Sequence, residues 1–240
     1  MIIIPARLSS SRLPKKVIIP INGIPMIIRC AKIAQQVDDV CIATDSQEVC
    51  EICDKYGFKA VMTSSSHKSG SDRIKQAADI LGLKEKETVI NMQGDEPFLE
   101  PEILQAVKEK IEELKDNNFC MVSCYKEINE LQAKDPNIVK TVLDKNSNAL
   151  YFSRSDIPYN RDNQPHTYFG HIGIYGFTKQ SLDKFVTMRG ELEHIEKLEQ
   201  LRVLENGEKI VMIKVKTRSF GIDTKDDLLK AEKYAKENNL

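Results

Sequence analysis

The chain has 240 residues, 41% of them hydrophobic and 30% charged, with a formal net charge of -1. That is an ordinary globular composition, long enough for one large α/β domain or two small ones. The balance of charge argues against a basic nucleic-acid binder, and the longest apolar runs fall far short of the ~20 residues a membrane span needs. No secretory signal is legible at the N-terminus, so a cytoplasmic location is expected.

In chain order, strand-like runs at 1–4, 40–43, 60–62, 89–92 and 120–124 alternate with helical patterns near 25–37, 46–56, 71–82 and 101–115. Such alternation predicts a mostly parallel open sheet with helices on both faces. Pro101 stands where a first helical position is expected, and Ser46 or Asp45 can cap the second helix. After Tyr125 the rhythm changes. Residues 137–152 and 170–178 read as strands without a full helix between them, a helix is expected over 193–204, and a strand over 209–215. Thr224-Lys225-Asp226-Asp227 reads as a capping box opening the last helix. The expected organisation is a single domain, with a core of about 1–120 and 206–240 and a β-richer segment of about 121–205.

The first strand breaks into Pro5-Ala6-Arg7-Leu8-Ser9-Ser10-Ser11-Arg12-Leu13-Pro14-Lys15-Lys16. Arginine forks, lysine point charges and small serines suit a polyphosphate, although a solvated basic loop is the plain alternative. Neither a Walker loop nor a dinucleotide-binding glycine fingerprint is present, which disfavours an NAD-dependent enzyme. Gln93-Gly94-Asp95-Glu96-Pro97 follows a strand, at the end where open parallel sheets bind ligands. Gly94 permits close approach of a ligand, and Asp95 suits Mg²⁺, which takes hard oxygens; a capping turn is the alternative. Asp223, just before the last helix, is a second candidate acid. Ser69 to Arg73 opens a helix and suits an anionic or polar ligand, or merely caps it. His171, Gly173 and Tyr175 share one strand face. On the 193–204 helix, Ile195, Leu198 and Leu201 form an apolar stripe opposite Glu196, Glu199 and Gln200. The six cysteines include Cys50-x-x-Cys53, without a second pair for zinc, and read as reduced thiols.

Taken together, IIIPARLSSSRLPKK, ATDSQEV, SGSDR, NMQGDEP, PNIVK, LYFSR, HIGIY, LEQLRVL and GIDT, in this order and spacing, resemble the 3-deoxy-D-manno-octulosonate (Kdo) cytidylyltransferases over the whole chain. The resemblance implies an α/β nucleotidyltransferase fold, a homodimer, CTP and Kdo as substrates, Mg²⁺ as cofactor, and a role in lipopolysaccharide biosynthesis. It implies Arg7, Arg12 and Lys16 on the CTP phosphates, with Lys16 and Arg12 joining Asp95 and Asp223 as catalytic residues. It also implies Ser69 and Arg73 near the nucleotide, Gln93 between nucleotide and sugar, and Asp95 and Asp223 as magnesium ligands. Arg154, His171, Tyr175, Glu196 and Gln200 would surround Kdo. The family's phosphate loop usually reads Arg-Leu-Pro-Gly-Lys-Pro, whereas here it is Arg12-Leu13-Pro14-Lys15-Lys16-Val17, so Lys16 is aligned with the family lysine. The stretch between Pro158 and His171 is shorter than the family pattern, which leaves Arg161 without an assigned role. A cytidylyltransferase for another acidic sugar, such as sialic acid, and a non-catalytic nucleotide-binding protein stay open as alternatives.

Overall fold

The computed structural model describes residues 1–9, 13–67, 69–117, 119–238 and 240. In chain order its elements are β1 (Ile2–Ala6), β2 (Pro20–Ile21), β3 (Ile24–Pro25), α1 (Met26–Ala34), β4 (Val40–Thr44), α2 (Gln47–Lys55), β5 (Lys59–Met62), α3 (Gly70–Ile80), β6 (Thr88–Asn91) and α4 (Pro101–Leu114). These are followed by β7 (Met121–Ile128), α5 (Glu130–Ala133), β8 (Lys140–Leu143), β9 (Ala149–Ser153), β10 (Tyr168–Thr178), α6 (Lys179–Thr187), α7 (Leu192–Glu196), α8 (Leu201–Glu205), β11 (Ile210–Lys214) and α9 (Lys225–Glu237). Two compact units result, one of residues 1–83, 89–105 and 218–240, the other of 84–88 and 106–217.

In the first unit β6, β1, β4 and β5 pair in that order, all parallel. Their continuous apolar runs, such as the fully buried Ile2, Ile3 and Ile4, mark strands covered on both faces. The expected caps form: Ser46 accepts from the Val49 amide, and Thr224 and Asp227 make a reciprocal capping box. An unforeseen hairpin joins β2 to β3 through Asn22 and Gly23, both at positive φ, the backbone that a two-residue hairpin turn requires. A core of Leu13, Ile21, Met26, Phe98, Ile222, Ala231 and Ala235 fastens α9 to this hairpin. Within it Phe98 packs 4.8 Å from Tyr234 and 5.7 Å from Phe220, ring centre to ring centre. This cluster matters for function because its members flank both acidic loops, 95–98 and 220–223.

In the second unit β7 is central, with β11 parallel on one side and β10 antiparallel on the other. β8 pairs the start of β10 and forms a hairpin with β9. The strand expected over 137–152 is therefore two strands. The Asp144 carboxylate collects the amides of Asn146 and Asn148, and Ser147 adopts a left-handed conformation, so the chain reverses between them. α6 was not expected; a Thr178–Ser181 capping box starts it.

The helix expected over 193–204 is also two short helices. Lys197 turns left-handed (φ 56°) and ends α7. Arg202 on α8 ion-pairs with Glu193 on α7, and the Glu205 carboxylate accepts from the Glu191 and Leu192 amides. The two helices fold against each other, so the predicted stripe does not exist: Ile195 is 75% exposed and Gln200 only 1%.

Candidate active site

Three side chains far apart in the chain meet in the first unit. The Lys16 ammonium donates to Asp95 Oδ2 at 2.6 Å and to Asp223 Oδ1 at 2.8 Å. Local structure aims each of them. Lys15 is left-handed (φ 56°) and starts a 3₁₀ turn over Lys16–Ile18 that buries Val17 and turns Lys16 inward. Lys15 itself points to Glu48, so Lys16 is the lysine that reaches the acids. Gly94 sets the 93–97 loop tightly against β1: a Cβ there would lie 3.1 Å from the Pro5 carbonyl oxygen and 3.3 Å from Ile27 Cδ1. At Gly94 the chain's own backbone makes a close approach. The Ile222 amide donates to the Asp95 carbonyl at 3.0 Å, which ties the two acidic loops directly together. Asp227 fixes the next turn by accepting from the Asp223 and Thr224 amides. Burial would raise the Asp227 carboxyl, but the Thr224 hydroxyl and these two amides outweigh it and hold it below its usual value. For Lys16, burial favours the neutral amine, yet the two carboxylates prevail and hold its pKa above the ordinary value.

Two carboxylates sharing one ammonium are arranged to share a cation. Their hard oxygens fit Mg²⁺, and among the described residues no group of three or more His, Cys, Asp or Glu surrounds such a point. Two carboxylates, with substrate phosphate and water completing the shell, are the usual habit of Mg²⁺ at phosphate sites, and Asp95 and Asp223 fit it.

Arg7 is exposed just beyond β1, and Gln93 lies two residues past β6. Arg12 lies outside the described residues. Ser69 caps α3, accepting from the Asp72 amide. Arg73 is 3% exposed and donates to Thr63 Oγ1 and Asp45 Oδ2, both at the ends of neighbouring strands. Its guanidinium ties the ends of β4 and β5 together.

The second unit assembles a separate polar cluster. A network fixes the His171 imidazole: Gln200 Nε2 donates to Nδ1 at 3.4 Å, and Nε2 faces Ser123 Oγ at 2.9 Å, which donates to the Ile174 carbonyl at 2.8 Å. The Tyr175 hydroxyl donates to Gln200 Oε1 at 3.1 Å. Burial pushes the His171 pKa down from 6.5 to about 3, so the ring is neutral at physiological pH. His171 and Tyr175 lie on one strand face, while Gly170, Ile172, Ile174 and Gly176 point inward. Gly176 packs against α4, where a Cβ would come within 2.5 Å of Ile111.

Nearby in the same unit, the Glu196 carboxylate accepts from Ser153 Oγ at 2.6 Å and from the Arg154 amide at 2.9 Å. The Arg154 side chain donates to the carbonyls of Glu196 and Pro136. Below it the fully buried Lys140 donates to the carbonyls of Asp135 and Arg154. Burial lowers the Lys140 pKa. Ser123 and Lys140 are not marked as chemistry-bearing residues by the sequence reading. A serine interrupting a buried apolar strand and a lysine ending PNIVK are the signals that could have marked them.

The cysteines are mostly buried. All six are free, and burial raises the Cys41 thiol to about 11 and those of Cys53 and Cys120 to about 12. Among the described residues, no helix is long and apolar enough to cross a membrane.

A cytidylyltransferase family model matches residues 1–210. The chain is 54% identical to a 3-deoxy-manno-octulosonate cytidylyltransferase of Wolinella succinogenes, covering 97% of this chain and 98% of that one. It is 50% identical to the Helicobacter pylori protein of the same name, covering 100% and 99%. A solved CMP:2-keto-3-deoxy-manno-octonic acid synthetase, in complex with CTP, superposes with a TM-score of 0.92 at 34% identity, covering 99% of this chain and 98% of that one. A putative glucose-1-phosphate thymidylyltransferase from Bacillus anthracis shares the fold, at a TM-score of 0.68 and 16% identity. The chain belongs to the 3-deoxy-manno-octulosonate cytidylyltransferase family.

Proposed function

We propose that this protein transfers CMP from CTP to the anomeric hydroxyl of Kdo, giving CMP-Kdo and pyrophosphate for lipopolysaccharide assembly. The observation that carries this reading is the convergence of Lys16, Asp95 and Asp223, a cation site built beside a basic loop. Nucleotidyl transfer asks the protein for positioning and charge neutralisation, which these residue types supply without a nucleophile. Arg7, Arg12 and Lys16 neutralise the CTP phosphates, and Ser69 and Gln93 orient the nucleotide. Asp95 and Asp223 hold Mg²⁺, which when bound supplies Lewis-acid polarisation of the reacting groups. Arg73 acts from behind, through Thr63 and Asp45.

In the second unit, Tyr175 and Gln200 offer neutral donors and acceptors to sugar hydroxyls, and His171, its two nitrogens held by Gln200 and Ser123, lines the same sugar site. As a neutral ring His171 adds no charge there. Glu196 fixes the Ser153–Arg154 end of β9, and Arg154 supplies positive charge toward the acidic sugar. The working form is a cytoplasmic homodimer.

Competing Kdo against N-acetylneuraminate in a CTP-dependent pyrophosphate-release assay tests the reading. Kdo should be turned over and N-acetylneuraminate should not. Preferential turnover of N-acetylneuraminate would reassign the sugar, and no release with either would leave only nucleotide binding.

A further inference from the structure

Lys16 stands on the two acids that the proposed metal requires. Its side chain is 12% exposed, and it places one ammonium against one oxygen of each carboxylate at 2.6 and 2.8 Å. Those two oxygens can therefore lie no farther apart than the two contacts laid end to end. An ammonium at this point does electrostatically what a cation would do: it offsets the repulsion of two partly buried carboxylates and holds their loops in register. A divalent ion on the same oxygens would be repelled by an ammonium a few ångströms away. Removing the ammonium would strand a partly buried positive charge unless another anion receives it, and such stranded charges are costly. Lysine is a compact charge on a flexible stem, well suited to change partners. The nucleotide's phosphates are the anions that the function brings to this loop.

We propose that Lys16 is an internal counter-ion of the metal site. In the nucleotide-free protein it holds Asp95 and Asp223 together and competes with divalent metal for them; the phosphates of the incoming nucleotide draw it off and free both carboxylates. Metal and nucleotide then bind in a mutually reinforcing way, because a coupling free energy acts equally on both ligands. The inference rests on Asp95 and Asp223 being the metal ligands.

The test is a Mn²⁺ titration of nucleotide-free protein, followed by electron paramagnetic resonance of the free ion. Lys16→Met should bind Mn²⁺ about tenfold more tightly than wild type, a step within the usual range of such couplings. Arg7→Met, which removes a charge from the same loop without touching the acids, should change affinity less than about twofold, as expected of screened surface charges. Adding Asp95→Asn to Lys16→Met should abolish the tight site. If Lys16→Met binds no tighter while Asp95→Asn still removes Mn²⁺ binding, the counter-ion role is overturned and the metal site stands. If Arg7→Met tightens binding as much as Lys16→Met, general electrostatics replaces competition and the proposal falls. If Asp95→Asn leaves Mn²⁺ binding unchanged, the metal assignment itself fails. Lys16→Gln repeats the comparison with a shorter polar side chain, and circular dichroism of each variant verifies that it is folded.

Discussion

Replacing His171 with glutamine should flatten the protein's stability between neutral and mildly acidic pH. The imidazole is packed beside Phe152 and Tyr175, with ring centres 4.9 and 5.7 Å away, and both nitrogens are engaged by neutral groups. Burial depresses its pKa from 6.5 to about 3. Above the unfolded value the ring is neutral in both states and contributes no pH dependence. As pH falls below 6.5, the unfolded chain takes up a proton that the folded chain refuses until about pH 3, so stability is lost across that window. The slope is about 1.4 kcal/mol per pH unit, which amounts to about 2 kcal/mol between about pH 7.5 and about pH 5. Urea unfolding of wild type and His171→Gln at both values measures it. Comparing how much each protein loses on acidification cancels the other titrating groups. Wild type should lose about 2 kcal/mol more than the variant. An equal loss in the two proteins would refute the buried neutral imidazole, and with it the view that His171 sits in the sugar site without charge.

Two further outcomes follow from backbone geometry. Lys15→Gly should raise stability by about 1 kcal/mol in urea unfolding, because glycine enters the left-handed region freely and the exposed Lys15–Glu48 pair is worth little; an unchanged or lower midpoint would contradict this. Gly94→Ala should cost about 1 kcal/mol of stability through its contacts with Pro5 and Ile27. It should lower kcat by about tenfold or more, since it displaces the backbone that carries Asp95; wild-type turnover would show that the loop has slack.

The sequence makes much of the first unit legible because its signals are local. Apolar runs mark buried strands, Pro101 starts α4, and Thr224 with Asp227 opens α9. What it hides depends on contacts distant in sequence. The apolar spacing of Ile195, Leu198 and Leu201 suits one helix, but Arg202–Glu193 and the Glu196 contacts with β9 favour a break at Lys197. Likewise, residues 137–152 read as one strand until the Asp144 side chain collects the amides that reverse the chain. At the site, Lys16, Asp95 and Asp223 were each recognisable as chemistry-bearing residues. That a single ammonium joins them depends on the core around Phe98 and Ile222, which composition and spacing do not encode. Arg73 has contacts that its motif did not show, since its guanidinium donates to Thr63 and Asp45.

The most direct measurement of the central claim is the Mg²⁺ dependence of pyrophosphate release from CTP and Kdo in wild type, Asp95→Asn and Asp223→Asn, with folding checked by thermal melts. Each substitution should reduce kcat by about a hundredfold or more, because charge stabilisation in the transition state is lost while the fold survives. Near-normal turnover in either folded variant would contradict the account.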